Sequence, residues 1–155
     1  MRELLCTRQS DGEPPHVLVL TETWIYSWEE QLYTVDGYSA YFNSRDGGQA
    51  GGVAVYVRDD VNSYHISNAN TNCEACIVRV GFADSILPLV GVQRSPTTTV
   101  SDPNEFIMSG IEEVLETCGS FRDLIWLSDT NIDLSGGSAY ENDFLDRMAE
   151  SGLEW

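Results

Sequence analysis

Positive charge is what this sequence has least of. Eight Lys and Arg residues stand against 25 Asp and Glu in 155 residues, leaving a net charge of −17. The resulting pI, near 4.1, keeps a protein soluble but repels nucleic-acid phosphates, which most binders neutralise with Lys and Arg. Any action on DNA must overcome that field, for instance through a divalent cation at the contact. Long hydrophobic runs are also lacking: no stretch approaches the length of a membrane span. Met1 to Ser10 is polar and charged, without the apolar core of a secretory segment. No Asn-x-Ser/Thr acceptor occurs. An intracellular protein with reduced thiols is the expected setting. Cysteine is sparse: Cys6, Cys73, Cys76 and Cys118. A structural zinc site would need a second pair beside Cys73-Glu-Ala-Cys76, and there is none. That pair opens a strand pattern, in which positions three apart point to opposite faces.

Hydrophobic content of 42% and aromatic content of 10% suffice for a folded core. Residues 1–10 carry weak helical character and end in the breaker run Ser10–Pro15. The continuous apolar run His16–Leu20 reads as a strand buried on both faces. It leads into Thr21-Glu22-Thr23-Trp24. Residues 27–34 read as a short helix or turn, and Asp36-Gly37 as a turn pair. Tyr38–Asn43 and Val53–Val57 are strand patterns, with Gly47–Gly52 as the hairpin loop between them. That loop is not a phosphate-binding Walker loop, because no Gly-Lys-Ser/Thr closes it. Cys76–Val80 and Ile86–Val92 are further strands.

A helix follows. Ser101 or Asp102 caps it, Pro103 opens it, Phe106, Ile107, Ile111, Val114 and Leu115 recur at helical spacing, and Gly119 closes it. Leu124–Leu127 is another buried strand, ending in Ser128-Asp129-Thr130-Asn131. A last amphipathic helix spans Asn142–Ser151, with Phe144, Leu145 and Met148 on one side. The acidic residues Glu112, Glu113, Glu116, Glu141, Asp143 and Asp146 fall mostly opposite the apolar stripes and are expected on solvated faces. This order predicts an α/β (α+β) chain, a two-sheet sandwich flanked by helices and not a doubly wound parallel sheet. Glu22 and the Asp129/Asn131 pair sit at strand ends, where polar residues gather at one rim. Separately, each is an ordinary turn residue.

In order along the chain stand Leu20-Thr-Glu22-Thr-Trp24, Gly37-Tyr38, Arg45 with the Gly-rich loop, and Gly52-Val-Ala-Val-Tyr-Val57. Val90-Gly-Val-Gln93-Arg94-Ser95-Pro96 and Ile125-Trp-Leu-Ser128-Asp129-Thr130-Asn131-Ile-Asp-Leu134 follow. This series, from about His16 to Leu153, resembles the endonuclease domain of non-LTR retrotransposons. That domain is a branch of the endonuclease/exonuclease/phosphatase family, which includes apurinic endonucleases and deoxyribonuclease I. The resemblance implies that residues 1–155 form a partial domain with an incomplete deoxyribonuclease I-like fold. It also implies phosphodiester hydrolysis, with DNA nicking as the activity of the complete form and the nucleus as the expected site of an intact element. Glu22 would hold Mg²⁺ or Mn²⁺, Asp129 would orient and help activate the attacking water, and Asn131 would donate to the phosphate.

The departures bear on activity. Met1 falls inside what resembles the helix after the family's first strand, so the Asn-bearing strand is missing. Gln93 stands where the family has a catalytic Tyr, and Ser128 where it has Gly. The chain stops before the family's later Asp residues and its Ser-Asp-His ending, which neither His16 nor His65 matches. Weak or absent nicking, with weak DNA binding, is therefore expected. The alternatives are an acidic, non-catalytic module that binds a protein partner at exposed sheet edges, or a transposon-derived fragment without a selected role.

Overall fold

The computed structural model describes residues 13–45, 47, 51–69, 73–82, 85–94, 112–118, 123–131, 137 and 139–153. The expected helix over 1–10, Cys6, the cap and first turns at 101–111, Gly119 and the Ser95-Pro96 and Ile132–Leu134 parts of the motifs lie outside these residues.

Two sheets face each other. Strands β1 (Val17–Thr21), β2 (Tyr38–Asn43) and β3 (Val53–Arg58) form an antiparallel sheet in the order β1-β3-β2. The second sheet has the order β4-β5-β6-β7, from β4 (Ser63–Ala69), β5 (Glu74–Phe82), β6 (Ser85–Gln93) and β7 (Ile125–Asp129). Its first three strands are antiparallel, and β7 runs parallel to β6. A 3-10 helix (Ser27–Tyr33) links β1 to β2. Helix α1 covers residues 112–118, and α2 spans Ala139–Glu150.

Strand alternation assigns the faces. Val53, Val55 and Val57 of β3 meet Cys76, Val78, Val80 and Leu89 of the other sheet in one fully buried cluster between the sheets. The odd positions of β5 and the even ones of β6 point outward: Ala75, Ile77, Val90 and Val92 pack under Val114 and Cys118 of α1. Phe144 and Met148 of α2 extend that layer over Trp126. The sandwich flanked by helices is thus the observed architecture, as expected. The CxxC pair divides between the faces: Cys76 lies between the sheets, while Cys73 packs beneath the helices.

Two polar or small residues set the spacing between the sheets. Asn43 is buried, and its Nδ2 donates to the carbonyls of Ala69 (3.1 Å) and Ala75 (2.9 Å), tying the end of β2 to the second sheet. Gly91 of β6 faces β1 and β3 so closely that a Cβ there would lie 2.8 Å from Val19 Cγ1 and 2.9 Å from Val53 Cγ1. Only glycine permits this approach, and it occurs two residues before Gln93.

Several sequence expectations need correction. The strands read as buried are not: β1 is only partly buried along its whole length and β7 leaves Leu127 exposed, because each stands at the end of its sheet's strand order. Strand β4 carries no strand signature in the sequence, because Ser63–Ala69 mixes polar and apolar residues without alternation. It forms at the sheet edge with a register shift between His65 and Ser67, where half of the strand faces water. Glu141 was expected on a solvated face and is buried instead. It stands in the first turn of α2, and its carboxylate accepts the N–H of Gly137, so it satisfies the backbone that enters the helix. Asp143 is half-buried and pairs with Arg147 at 3.2 Å.

Candidate functional site

Parity along β6 and β7 brings the candidate residues together. Leu89 belongs to the cluster between the sheets, so Gly91 and Gln93, two and four positions on, point into the same space. In the parallel register Leu89 pairs with Ile125, Gly91 with Leu127 and Gln93 with Asp129. Asp129 therefore ends β7 on the side of Gln93, facing the other sheet. Glu22 follows β1 immediately, and β1 packs against β6 through Val19 and Gly91. Three strand ends meet at one rim.

Gln93 is fully buried and ties the end of β6 to the residue that follows β1. Its Oε1 accepts the backbone N–H of Glu22 at 2.6 Å, and its Nε2 donates to Glu22 Oε1. The other carboxylate oxygen, Oε2, accepts from the Trp24 indole at 2.7 Å and from Gly51 N at 3.0 Å. Three donors thus orient one carboxylate. Asp129 Oδ1 accepts from Asn131 N at 3.2 Å, while Asn131 Nδ2 donates to Arg94 O at 2.7 Å. Arg94 N in turn donates to Asp129 O at 3.0 Å, and its Nη1 reaches Thr130 O at 3.2 Å.

Backbone conformation marks the same place. Glu22 (φ 50°), Trp24 (φ 55°) and Asn131 (φ 52°) are the non-glycine residues with positive φ among the described residues. Side chains other than Asn and Asp rarely adopt this region, and such residues cluster where the surrounding contacts dictate a particular side-chain direction. At Glu22 those contacts are the Gln93 bridge and the loop opposite, where Trp24 N donates to Gly51 O at 2.9 Å and Thr23 N to Gly52 O at 3.3 Å. The Gly-rich segment is indeed the connection between β2 and β3, and its last two glycines have φ of 101° and 89°.

Among the described residues no group of three or more His, Cys, Asp and Glu gathers as a metal cluster. Mg²⁺ does not require one; it keeps several waters and is commonly held by one or two carboxylates plus substrate phosphates. Three of the roughly four lone-pair positions of Glu22 are used by its donors, which leaves one on Oε1. The donor set fits an ion held by a single carboxylate oxygen.

Cys73 and Cys76 are poor nucleophiles. Burial, with Glu113 and Glu74 adding to it, pushes the Cys73 thiol up to about 12, and burial with Glu30 does the same for Cys76. A thiol held protonated at neutral pH is neither a nucleophile nor a ligand. His65 stacks on Tyr41 and bonds Asn68 Oδ1 at 2.9 Å, on the edge strand and away from the rim. Sequence reasoning missed Glu74, which opens β5. Its Oε2 accepts Gly52 N at 2.6 Å, and its Oε1 lies 3.2 Å from Arg45 Nε. Nothing in the sequence marks it, since a lone carboxylate before a strand is commonplace.

No protein-family model and no curated protein matches the sequence. Solved structures do. The chain is similar to the endonuclease domain of TRAS1, a telomere-specific non-LTR retrotransposon, at 18% identity and a TM-score of 0.69, over 97% of this chain and 63% of that one. It is similar to D. rerio TDP2 complexed with single-strand DNA product, at 18% identity and a TM-score of 0.57, over 97% of this chain and 55% of that one. A third likeness is to an endonuclease/exonuclease/phosphatase family protein from Bacteroides thetaiotaomicron, at 13% identity and a TM-score of 0.58, over 93% and 58% of the two chains. The chain thus spans between 55% and 63% of the length of these structures. Its two facing sheets with helices on the outer face are the deoxyribonuclease I-like fold that retrotransposon endonuclease and endonuclease/exonuclease/phosphatase proteins share.

Proposed function

We propose that residues 1–155 are part of a metal-dependent phosphodiesterase domain of the retrotransposon-endonuclease type, with a reduced active site and little or no nicking activity of their own. One observation carries this reading: Gln93 bonds Glu22 through both ends of its amide while standing in register with Asp129. The likeness to the TRAS1 endonuclease domain supports the class of reaction, and the share of that domain spanned supports a partial domain.

In this reading Glu22 would hold Mg²⁺ or Mn²⁺. The ion, when bound, polarises a phosphoryl oxygen and offsets charge on the leaving oxygen. Asp129 orients the attacking water and accepts its proton. Asn131 turns one amide N–H to Arg94 O and has a second for a phosphate oxygen, where negative charge builds. Gln93 accounts for the reduction. An amide cannot serve as the acid–base group that the resemblance assigns to a Tyr there, and loss of one such group costs about 10²–10⁴ in rate. Its amide is committed to holding Glu22. DNA is the substrate class, and the net charge of −17 weakens its binding.

Calorimetric titration with Mn²⁺ tests the site. Heat that disappears in Glu22→Ala supports it, and the absence of any Glu22-dependent heat removes Glu22 from the role.

A second reading, an acidic module for a basic protein partner, has one observation in its favour. Trp24, Trp28 and Leu32 are 63%, 70% and 79% exposed, and Glu29 and Glu30 stand among them. A basic partner retained at low salt and released at high salt would support it. A pull-down that retains no basic partner would remove it.

A further inference from the structure

Two arms hold the Glu22 carboxylate, and both run back to one ion pair. The first arm is the Gly51–Gly52 turn. Gly51 N donates to Glu22 Oε2, and the next N–H, from Gly52, donates to Glu74 Oε2 at 2.6 Å. Successive N–H groups of one turn thus reach two carboxylates. The turn is shaped for this: a Cβ on Gly51 would lie 2.5 Å from Glu74 Oε2, and φ is positive at both glycines. The second arm is Gln93. In the antiparallel register of β5 and β6 it is the direct partner of Glu74. Glu74 itself is fixed from the solvent side by Arg45 Nε, 3.2 Å from its Oε1, with Arg45 about half exposed and Glu74 mostly covered.

We infer that the Arg45–Glu74 pair is a positioning device for Glu22. It fixes the Gly51–Gly52 turn, and the turn fixes the carboxylate oxygen that also carries the Trp24 indole bond. The inference rests on the reading of Glu22 as the metal-holding carboxylate for its functional meaning, but not for its geometry. An ion pair at the surface contributes little stability of its own. Its effect is directional: without Arg45, Glu74 can turn to solvent, Gly52 loses its acceptor, and Gly51 no longer holds Oε2 in place. Partners one step removed from a metal ligand typically change metal affinity by about 10–100-fold.

The test uses the folded chain with Arg45→Ala, Arg45→Lys, Glu74→Gln and Glu22→Ala. The first readout needs no metal: the NMR resonance of the Trp24 indole N–H, which is bonded to Glu22. Arg45→Ala and Glu74→Gln should move it toward its position in Glu22→Ala, and Arg45→Lys should restore it. An indole resonance unmoved in both variants, in protein with an otherwise native spectrum, overturns the inference. The second readout is Tb³⁺ luminescence sensitised by tryptophan. Affinity should fall about 10-fold in Arg45→Ala and Glu74→Gln and vanish in Glu22→Ala. Tb³⁺ that binds equally in Glu22→Ala contradicts the metal reading of Glu22 and leaves the indole resonance to decide the positioning.

Discussion

Gln93 and Glu22, 71 residues apart in sequence, are joined by two hydrogen bonds: the amide oxygen takes the Glu22 backbone N–H at 2.6 Å and the amide nitrogen faces its carboxylate. A buried Tyr at this position could offer one hydroxyl and no second arm. Relative to the Tyr that the family resemblance would place here, Gln93 would alter both the chemistry and the rigidity of the rim. Gln93→Leu would leave the Glu22 N–H and one carboxylate oxygen without their buried partner. Since each orphaned group costs about 1–3 kcal/mol, the expected loss for the two is on the order of 2–6 kcal/mol. Urea denaturation at neutral pH measures it. A variant as stable as the parent would mean that the bridge is incidental.

Gly91 carries a steric prediction. A methyl group at this position would press on Val19 and Val53 from 2.8 and 2.9 Å, and both belong to packed strands that cannot retreat separately. Gly91→Ala should cost about 1–3 kcal/mol, as overpacked cores do. It should also loosen the Gln93–Glu22 contact two residues away, which the Trp24 indole resonance would register.

The buried thiols set an alkaline limit. Burial raises Cys73 and Cys76 to about 12 and Tyr56 to about 12 as well. The unfolded thiols titrate near about 8.5, so the folded state binds more protons between the two values. Stability is then full below about pH 8.5 and falls as pH rises toward 12. Thermal melts across this range should show the decline, and Cys73 and Cys76 should resist alkylation at pH near about 8. Rapid labelling of both in folded protein would contradict their burial.

Much of the fold is legible in the residues, and the exceptions have identifiable causes. Strands β1, β3, β6 and β7 are found where the Val, Leu and Ile runs stand, but only β3 and β6 are buried as such runs suggest; β1 and β7, at the ends of their sheets, are only partly covered. β5 extends beyond the Cys76–Val80 run to Glu74 and Phe82 because pairing with β6 continues past the apolar stretch. β4 was not legible, since an edge strand with a bulge needs no apolar periodicity. Within the site, Glu22, Asp129 and Asn131 could be nominated by position and motif, and the folded chain brings Glu22 and Asp129 to the two sides of Gln93. The support around them could not be nominated. Glu74 acts through a register partner and a turn, and neither relationship exists before the sheets pair.

Glu141 illustrates the same limit and offers a control. Its charge pattern placed it on a wet face, yet its carboxylate caps the chain at Gly137. Glu141→Ala should cost about 0.5–2 kcal/mol, as lost caps do, whereas Asp146→Ala on the exposed side of α2 should change stability by less than about 0.5 kcal/mol. Chemical denaturation of the two variants side by side decides between them. Equal effects would return Glu141 to the solvated face.

The most direct test of a reduced nuclease site is nicking of supercoiled plasmid by the purified, folded chain in Mg²⁺ or Mn²⁺, beside Glu22→Ala and Asp129→Ala. Nicking should be no faster than that of the two variants, because position 93 carries an amide engaged in holding Glu22 and no acid–base group. Nicking by the parent chain that disappears in both variants would contradict it and show a working site without that group.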